Sequence, residues 1–172
     1  MKVRPARPSD VARIVDLVES AYRGETSRDG WTTEADLLDG QRTDAGEVGS
    51  LLPHLFVTDD LAGCFVLEPR KGVAYFGMFA VRPDRQGSGI GTALLGAAEE
   101  RARLLGLGAI EMTVLAARAE LLDFYERRGY TATGERRPFP YGDERFGRPR
   151  RPDLEFVVLR KQLGDGSSRV TT

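Results

Sequence analysis

The part of this chain best suited to binding an anion is its segment of alternating glycines, Gln86-Gly87-Ser88-Gly89-Ile90-Gly91. An apolar run from Val73 to Val81 precedes the segment, and a stretch from Thr92 to Leu105 with helical spacing of its apolar residues follows it. We therefore predict a strand, a glycine-rich turn and a helix in that order. Glycines let the backbone approach a ligand closely, and the first amides of a helix lack partners within the helix. Together with the helix dipole, these features indicate a site for a phosphate or pyrophosphate.

Several classes of protein place such a turn between a strand and a helix. An ATP or GTP P-loop continues with Lys and Ser or Thr, but no lysine follows Gly91. A dinucleotide fingerprint needs a third glycine or alanine where this chain has Leu94, although Glu111 lies at the distance expected of its acid. A coenzyme A site has the pattern Gln/Arg-x-x-Gly-x-Gly/Ala, which Gln86, Gly89 and Gly91 fit. At these residues the sequence resembles the GNAT superfamily of acyl-CoA-dependent N-acyltransferases.

A second segment supports this resemblance. Residues 121–130 read Leu-Leu-Asp-Phe-Tyr-Glu-Arg-Arg-Gly-Tyr, which is similar to the GNAT pattern Ala-x-x-Phe/Leu-Tyr-x-x-x-Gly-Phe/Tyr. Gly129 is predicted to end the helix of this segment in the left-handed conformation. The chain departs from the family at Arg118, where Asn is frequent, and at Leu121, where Ala is frequent. These departures affect the expected local contacts to coenzyme A and leave the expected fold unchanged.

The resemblance implies acetyl-CoA as the donor, with its pyrophosphate in the glycine turn and its pantetheine along the preceding strand. The donor-binding residues implied in this way are Phe79, Ala80, Val81, Gln86, Gly87, Ser88, Gly89, Ile90, Gly91 and Thr92. Tyr125 matches the family position of the general acid, and a phenol with a pKa of about 10 can protonate the leaving thiolate at neutral pH. We take Glu111 as the candidate base, with Glu34, Glu25 or a chain of water molecules as alternatives. The reaction requires no metal.

Two segments are predicted to select the acceptor. The only tryptophan of the chain lies in a polar loop, and we predict that Trp31 and Glu34 bind the amine through its carbon skeleton and its charge. The alternative for Trp31 is a cap on the core. The second segment, residues 136–152, is rich in arginine and proline with interleaved aromatic residues. We expect an ordered loop over the acceptor pocket or a dimer contact, and the arginines favour an acceptor that carries a carboxylate.

The composition indicates one soluble enzyme domain. The chain has 172 residues, 41% of them hydrophobic, which suffices for a sizeable core. Its formal net charge of −1 argues against a general nucleic-acid binder. The single cysteine, Cys64, permits no internal disulfide, and we find neither a signal peptide nor a bilayer-spanning apolar run, so we predict a cytoplasmic protein without membrane partners. His54 is the only histidine, which excludes a two-His metal site.

The predicted elements follow the order of the GNAT fold. Strands are predicted over residues 3–6, 54–58, 62–68, 73–81, 109–115, 130–135 and 153–159. Helices are predicted to begin at Pro8 with Ser9 as N-cap, over residues 34–39, over 92–105 and over 118–128, whereas 44–52 is ambiguous. The apolar face predicted for the third of these helices consists of Leu94, Leu95, Ala98, Ala102 and Leu105.

These elements predict an α/β (α+β) protein with the GNAT fold. Its sheet of about seven strands is expected to be mixed and mainly antiparallel, flanked by about four helices and splayed at the acetyl-CoA wedge. We expect a single domain over residues 1–163 and a flexible tail over 164–172. The predicted function is transfer of an acetyl group from acetyl-CoA to a primary amine of a small molecule or peptide by direct attack. The alternatives are a non-catalytic coenzyme A-binding regulatory module and a nucleotide-binding βαβ module, and the fold is compatible with a homodimer.

Overall fold

The computed structural model describes residues 1–22, 38–39, 42–141, 148–150 and 153–164. Its helices are α1 (Val11–Tyr22), α2 (Ala45–Leu51), α3 (Ile90–Leu104) and α4 (Ala119–Glu126). Its strands are β1 (Val3–Pro5), β2 (Leu38–Asp39), β3 (Leu55–Thr58), β4 (Gly63–Arg70), β5 (Val73–Val81), β6 (Ala109–Leu115), β7 (Thr131–Pro138), β8 (Arg148–Pro149) and β9 (Glu155–Gln162). The ambiguous stretch 44–52 is thus largely helical, with Asp44 as N-cap accepting a hydrogen bond from the Glu47 amide.

A seven-stranded sheet in the order β1-β3-β4-β5-β6-β9-β7 forms the centre of the fold. Its neighbouring strands run antiparallel, except that β5 and β6 are parallel. Strands β2 and β8 pair with each other outside this sheet. The mixed, mainly antiparallel sheet and its four helices confirm the predicted fold class.

The sheet separates two hydrophobic clusters. Helices α3 and α4 cover one face, where the cluster includes Phe76, Leu94 and Ile110, all almost fully buried. Helices α1 and α2 cover the other face, where Ile14 and Val57 are fully buried. Burial of large aliphatic and aromatic side chains on both faces fixes the register of the central strands, because a slip of one residue would exchange the two faces.

Strands β5 and β6 part soon after they meet. Their register contains Ala74 opposite Ile110 and Tyr75 opposite Glu111, and pairing in the described sheet stops there, although β5 continues to Val81. Parallel strands that diverge leave backbone donors and acceptors without a ladder partner on one side. The opening between them is the wedge predicted from the sequence.

A β-bulge lies in β5 at this wedge. The β4 register passes from Cys64 opposite Ala80 to Val66 opposite Gly77, so Phe65 alone faces two residues of β5. One of these two residues is Met78, whose φ of 43° is in the left-handed region that non-glycine residues rarely adopt. Bulges of this type bend a strand and redirect its backbone groups. No sequence signal predicted this bulge.

Three local predictions are wrong. Arg7, not Ser9, is the N-cap of the first helical turn, because the Asp10 carboxylate accepts from the Arg7 amide at 2.8 Å. Leu38–Asp39 is a strand paired with β8 and not the end of a helix, whereas residues 34–37 lie outside the described residues. Leu105 is 45% exposed because Gly106, with φ of 74°, ends α3 and turns the chain away.

Within the described ranges, no helix has the length and apolar character needed to cross a bilayer.

Candidate active site

The glycine turn forms one side of a cleft of about 480 Å³ between the start of α3 and the end of α4. Six of the ten predicted donor-binding residues line this cleft, namely Val81, Gln86, Gly87, Gly89, Gly91 and Thr92. Two of the glycines have left-handed backbones, with φ of 84° at Gly87 and 89° at Gly89. Other residues would be strained in this conformation, which explains why the turn uses glycine.

The N-terminus of α3 presents its free amides to this cleft. Gly89 is the N-cap, and the first helical hydrogen bond runs from the Ala93 amide to the Gly89 carbonyl at 3.0 Å. The amides of Ile90, Gly91 and Thr92 therefore precede the helical ladder and can donate to an anion. A Cβ on Gly91 would lie 3.3 Å from the Phe79 ring, so this glycine also permits close packing of the helix on β5.

The remaining predicted donor-binding residues occupy other positions. Ser88 donates a hydrogen bond to the Arg85 carbonyl and thereby holds the turn. Ile90 and Ala80 are buried in the two hydrophobic clusters. Phe79 lines a second cavity, described below. Gln86, one of the six residues that line the cleft, donates from Nε2 to the Val81 carbonyl at 3.0 Å and ties the turn to the end of β5.

The end of α4 contributes cationic residues that sequence reasoning missed. Arg127 and Arg128 line the cleft opposite the glycine turn. The Arg128 guanidinium lies over the Phe124 ring at 3.7 Å and donates to Thr92 Oγ1 at 2.7 Å. Arg128 thus connects α4 to the first turn of α3, where a pyrophosphate would bind. The sequence signal that could have identified them is the pair of adjacent arginines just before Gly129, the glycine that ends the helix.

Arg128→Gln is therefore expected to weaken acetyl-CoA binding by at least about 10-fold, since a charge-assisted hydrogen bond contributes about 1.5–3 kcal/mol. The weakened binding should also depend less on salt, because one cation is lost from the phosphate site. Titration calorimetry at two salt concentrations measures both effects. Arg101→Gln is the matched control, because Arg101 is exposed in the last turn of α3, at the opposite end of that helix from the glycine turn. An unchanged Kd in Arg128→Gln would exclude this residue from the donor site.

Tyr125 lies on α4 at the inner end of the wedge. Its ring packs edge-on against Phe124 and Tyr130, with centroid distances of 5.3 and 5.8 Å. The side chain is almost completely buried, and this burial raises the pKa of Tyr125 well above the usual value, with the nearby Tyr22 adding to the effect and Arg118 opposing it. Tyr125 lines a second cavity together with Tyr22 and Arg118.

This second cavity, of about 350 Å³, occupies the wedge between β5 and β6. Apolar and aromatic residues form most of its wall, including Met78, Phe79, Met112, Leu121, Phe139 and Phe156. Among the described residues, its charged side chains are Arg42, Glu47 and Arg118, and its tyrosines are Tyr22, Tyr75 and Tyr125. A cavity that combines apolar walls with several polar groups, beside a general-acid candidate, is suited to binding a substrate.

Tyr22 connects the end of α1 to the β-bulge. Its hydroxyl donates a hydrogen bond to the Phe79 carbonyl, which lies directly after Met78. On the other side of the bulge, Cys64 Sγ lies 3.4 Å from the Met78 carbonyl. Both contacts hold the unusual backbone at the point where the wedge opens, and this position makes the bulge a part of the site.

Glu111 does not line the cavity that contains Tyr125. It lines a neighbouring cavity of about 490 Å³ and forms an ion pair with Arg160 at 3.0 Å. Tyr75 and Thr113 line both cavities, and their hydroxyl oxygens are 3.0 Å apart. These two residues therefore form part of the wall between Glu111 and the wedge. Among the described residues, the carboxylate that lines the cavity with Tyr125 is that of Glu47.

The predicted acceptor residues Trp31 and Glu34, and the alternative base Glu25, lie outside the described residues. Phe139, from the arginine-rich segment, is buried and lines the wedge cavity. Gly129 has a φ of 93°, and hydrogen bonds from Gly129 and Tyr130 to the last turn of α4 form the helix-ending motif predicted from the sequence.

Two further side-chain types bear on the chemistry. Cys64 is fully buried, and burial raises the pKa of its thiol to about 12, so it remains a protonated thiol at neutral pH. In the described part of the chain, His, Cys, Asp and Glu side chains form no group of three that could hold a metal ion.

Comparisons with known proteins agree with this geometry. A family model described as the Acetyltransferase (GNAT) family matches residues 11–130. The chain is similar to the ribosomal-protein-S18-alanine N-acetyltransferase from Escherichia coli, with 15% identity, a TM-score of 0.69 and coverage of 99% of both chains. It is also similar to Rv2747 from Mycobacterium tuberculosis, solved in complex with CoA and NLQ, with 20% identity, a TM-score of 0.64 and coverage of 95% of this chain and 100% of that chain. No curated protein sequence matches significantly.

Proposed function

Because the chain belongs to the GNAT acetyltransferase family, we propose that it transfers the acetyl group of acetyl-CoA directly to the primary amine of a small molecule, with Tyr125 as general acid. One observation carries this proposal: the wedge between β5 and β6 has the glycine turn at one end and Tyr125 in its wall. A thioester bound along the wedge would have its phosphates at the turn and its sulfur near the phenol.

The backbone of β5 supports the proposed path of the pantetheine. Beyond Tyr75 this strand has no described ladder partner on the β6 side, so an extended ligand can lie along it as an added strand would. The carbonyls of Phe79 and Val81 already accept hydrogen bonds from Tyr22 and Gln86. Each carbonyl has a second lone pair, and the bulge redirects the amides near Phe79, which are our candidates for polarising the thioester carbonyl.

The chemistry that we assign to the wedge is direct aminolysis. The neutral amine attacks the thioester carbonyl carbon, and the resulting tetrahedral intermediate collapses with cleavage of the carbon–sulfur bond. The departing thiolate takes a proton from the Tyr125 hydroxyl, and the phenolate regains a proton from solvent. The raised pKa of Tyr125 keeps this buried phenol protonated at neutral pH, which is the form that a general acid needs.

The base is assigned to Glu47 in preference to Glu111. Glu47 lies in the first turn of α2 and lines the wedge cavity, where Thr43 Oγ1 donates to its Oε1 at 2.7 Å. Glu111 faces the neighbouring cavity and is paired with Arg160, so it would need a relay through Tyr75 or Thr113. A partly exposed carboxylate can accept the amine proton directly or through one water molecule.

Direct attack predicts sequential kinetics, because both substrates must be bound before the acetyl group moves. Double-reciprocal plots at several acetyl-CoA concentrations should intersect, and intact mass spectrometry after incubation with acetyl-CoA alone should show unmodified protein. The obvious rival nucleophile, Cys64, is buried and protonated, so it should gain no acetyl group. Parallel kinetic lines, or an adduct mapped to Cys64, would contradict direct attack.

We also propose a cytoplasmic location, which a buried free thiol supports.

A further inference from the structure

The sulfur of Cys64 contacts two peptide groups of the β-bulge. Cys64 lies on β4, and its thiol donates a hydrogen bond to the Met78 carbonyl, with 3.4 Å between sulfur and oxygen. The backbone amide of Ala80 donates to the same sulfur. Burial raises the pKa of the Cys64 thiol to about 12, against the opposing effect of the Ala80 amide, so the sulfur keeps the proton that it donates. One side chain therefore holds the peptide groups on both sides of Phe79.

These two contacts fix the directions of the polar groups of Phe79. In a trans peptide, the carbonyl and the N–H point in opposite directions. Because the Met78 carbonyl and the Ala80 amide both point toward Cys64, the Phe79 N–H and the Phe79 carbonyl both point away from it. The carbonyl accepts a hydrogen bond from the Tyr22 hydroxyl, and Phe79 and Tyr22 both line the wedge cavity. The Phe79 amide is thus directed away from β4, toward the wedge.

The bulge also leaves Phe79 outside the register of the described sheet. The pairing of β5 with β4 passes from Ala80 to Gly77, and the pairing of β5 with β6 ends nearer the start of the strand. Met78, with its φ of 43°, has a backbone that persists only where neighbouring contacts hold it, and such backbones cluster at functional sites. Without the contacts to the sulfur, we expect Met78 to relax toward an ordinary extended backbone and the Phe79 amide to turn away from the wedge.

We propose that Cys64 is a positioning residue for acetyl transfer, which directs the Phe79 amide at the carbonyl oxygen of the thioester. This oxygen gains negative charge when the amine attacks, and an N–H group that is oriented in advance stabilises that charge. The thiol forms and breaks no covalent bond in this role. The inference rests on the proposed acetyltransferase function and identifies the residue that orients its oxyanion donor.

A matched pair of variants, Cys64→Ser and Cys64→Ala, tests this role. Serine and alanine are similar in size, but only serine can donate to the Met78 carbonyl and accept from the Ala80 amide. Removal of an entire oxyanion donor lowers the rate about 10²- to 10³-fold, and a misdirected amide retains part of that effect. We therefore expect the single-turnover rate of acetyl transfer to fall at least about 10-fold in Cys64→Ala and only a few-fold in Cys64→Ser, with the Kd of coenzyme A unchanged in both.

The control for a general loss of packing is Ile14→Val, which removes one methylene from the same buried cluster and should keep the wild-type rate. Cys64→Val, which fills the space of the thiol without accepting or donating a hydrogen bond, takes the place of Cys64→Ala if that variant does not fold. An equal rate of transfer in wild type and in the variant without hydrogen bonds would overturn the positioning role and leave the acetyltransferase function intact. Binding of acetyl-CoA by the wild type without turnover of any amine would refute the proposed function itself.

The polarisation of the thioester gives a readout that a loss of stability would not change. Infrared difference spectra of acetyl-CoA labelled with ¹³C at the acetyl carbonyl are recorded on the enzyme without an amine. A hydrogen bond to the carbonyl oxygen lowers its stretching frequency, so we expect a lower frequency on the wild type and Cys64→Ser than in solution, and a frequency near the solution value on Cys64→Ala. A wild-type frequency equal to that in solution, or one that Cys64→Ala leaves unchanged, would contradict the proposed role of Cys64.

Discussion

Tyr125→Phe is expected to lower kcat by about 10- to 10⁴-fold while coenzyme A binding remains unchanged, since general acid catalysis contributes in this range. The substitution removes one hydroxyl and keeps the ring that packs against Phe124 and Tyr130. The cavity walls and the donor cleft should therefore be preserved. Steady-state kinetics with saturating acetyl-CoA, together with calorimetric titration of coenzyme A, measures the two effects separately.

Tyr130→Phe is the matched control. Tyr130 is as buried as Tyr125, and Tyr130→Phe also removes one hydroxyl. The Tyr130 hydroxyl, however, donates to Glu99 at 3.2 Å, and Tyr130 is not among the described residues that line the wedge cavity. We expect Tyr130→Phe to cost about 1.5–3 kcal/mol of stability through the lost hydrogen bond to the Glu99 carboxylate and to leave kcat near wild type. A Tyr125→Phe enzyme that turns over at the wild-type rate would mean that another group protonates the thiolate.

The pH profile offers a second check of the same residue. A general acid must be protonated to act, and the pKa of Tyr125 is raised by burial. The activity of the wild-type enzyme should therefore rise with pH as the amine loses its proton, without an alkaline decline below pH of about 10. An alkaline decline centred near neutral pH would assign the acid to a group other than Tyr125.

Gly89→Asp is expected to abolish the thermal stabilisation given by acetyl-CoA. Gly89 is the N-cap of α3 and has a left-handed backbone, so the new carboxylate would lie beside the free amides that receive the pyrophosphate. For the wild type, a ligand at 100 times its Kd contributes about 2.7 kcal/mol to the stability of the folded state. Thermal denaturation with and without acetyl-CoA measures this contribution as a shift in Tm.

Gly72→Asp separates loss of binding from backbone strain. Gly72 also has a left-handed backbone, with φ of 80° against 89° at Gly89, and at both positions a Cβ would meet no atom within 4 Å. Both variants should therefore lose a similar stability without ligand, about 1–2 kcal/mol for an L-residue in this conformation. Only Gly72→Asp should keep the Tm shift. Equal shifts in wild type and Gly89→Asp would show that the donor binds elsewhere.

The features of the site that were predictable from sequence are those fixed by local chemistry. The glycine turn requires left-handed backbones at Gly87 and Gly89, and only glycine adopts them without strain. The helix-ending role of Gly129 rests on the same property. Strand β5 was predicted with its observed bounds because its apolar run lies between turn residues on both sides.

The remaining features depend on contacts between distant segments. The bulge at Met78 arises from the register of β4 against β5, and nothing in the local sequence requires it. Glu47 and Arg42 enter the wedge only because α2, an ambiguous stretch in the sequence, packs against α1. Glu111 was our candidate base, but in the structure it lines the neighbouring cavity and pairs with Arg160 from a distant strand.

The most direct test of the central claim is the release of coenzyme A from acetyl-CoA, measured together with the acetylated product over a panel of amines. The panel should contain amino acids, amino acid amides, polyamines and peptides. We predict that thiol release requires both the enzyme and an amine, and that it equals the N-acetyl product mole for mole. If coenzyme A stabilises the protein but no amine releases thiol, the chain is a coenzyme A-binding module without transferase activity. Stabilisation by ATP or NAD in place of coenzyme A would contradict the proposal that the cleft at the glycine turn binds coenzyme A.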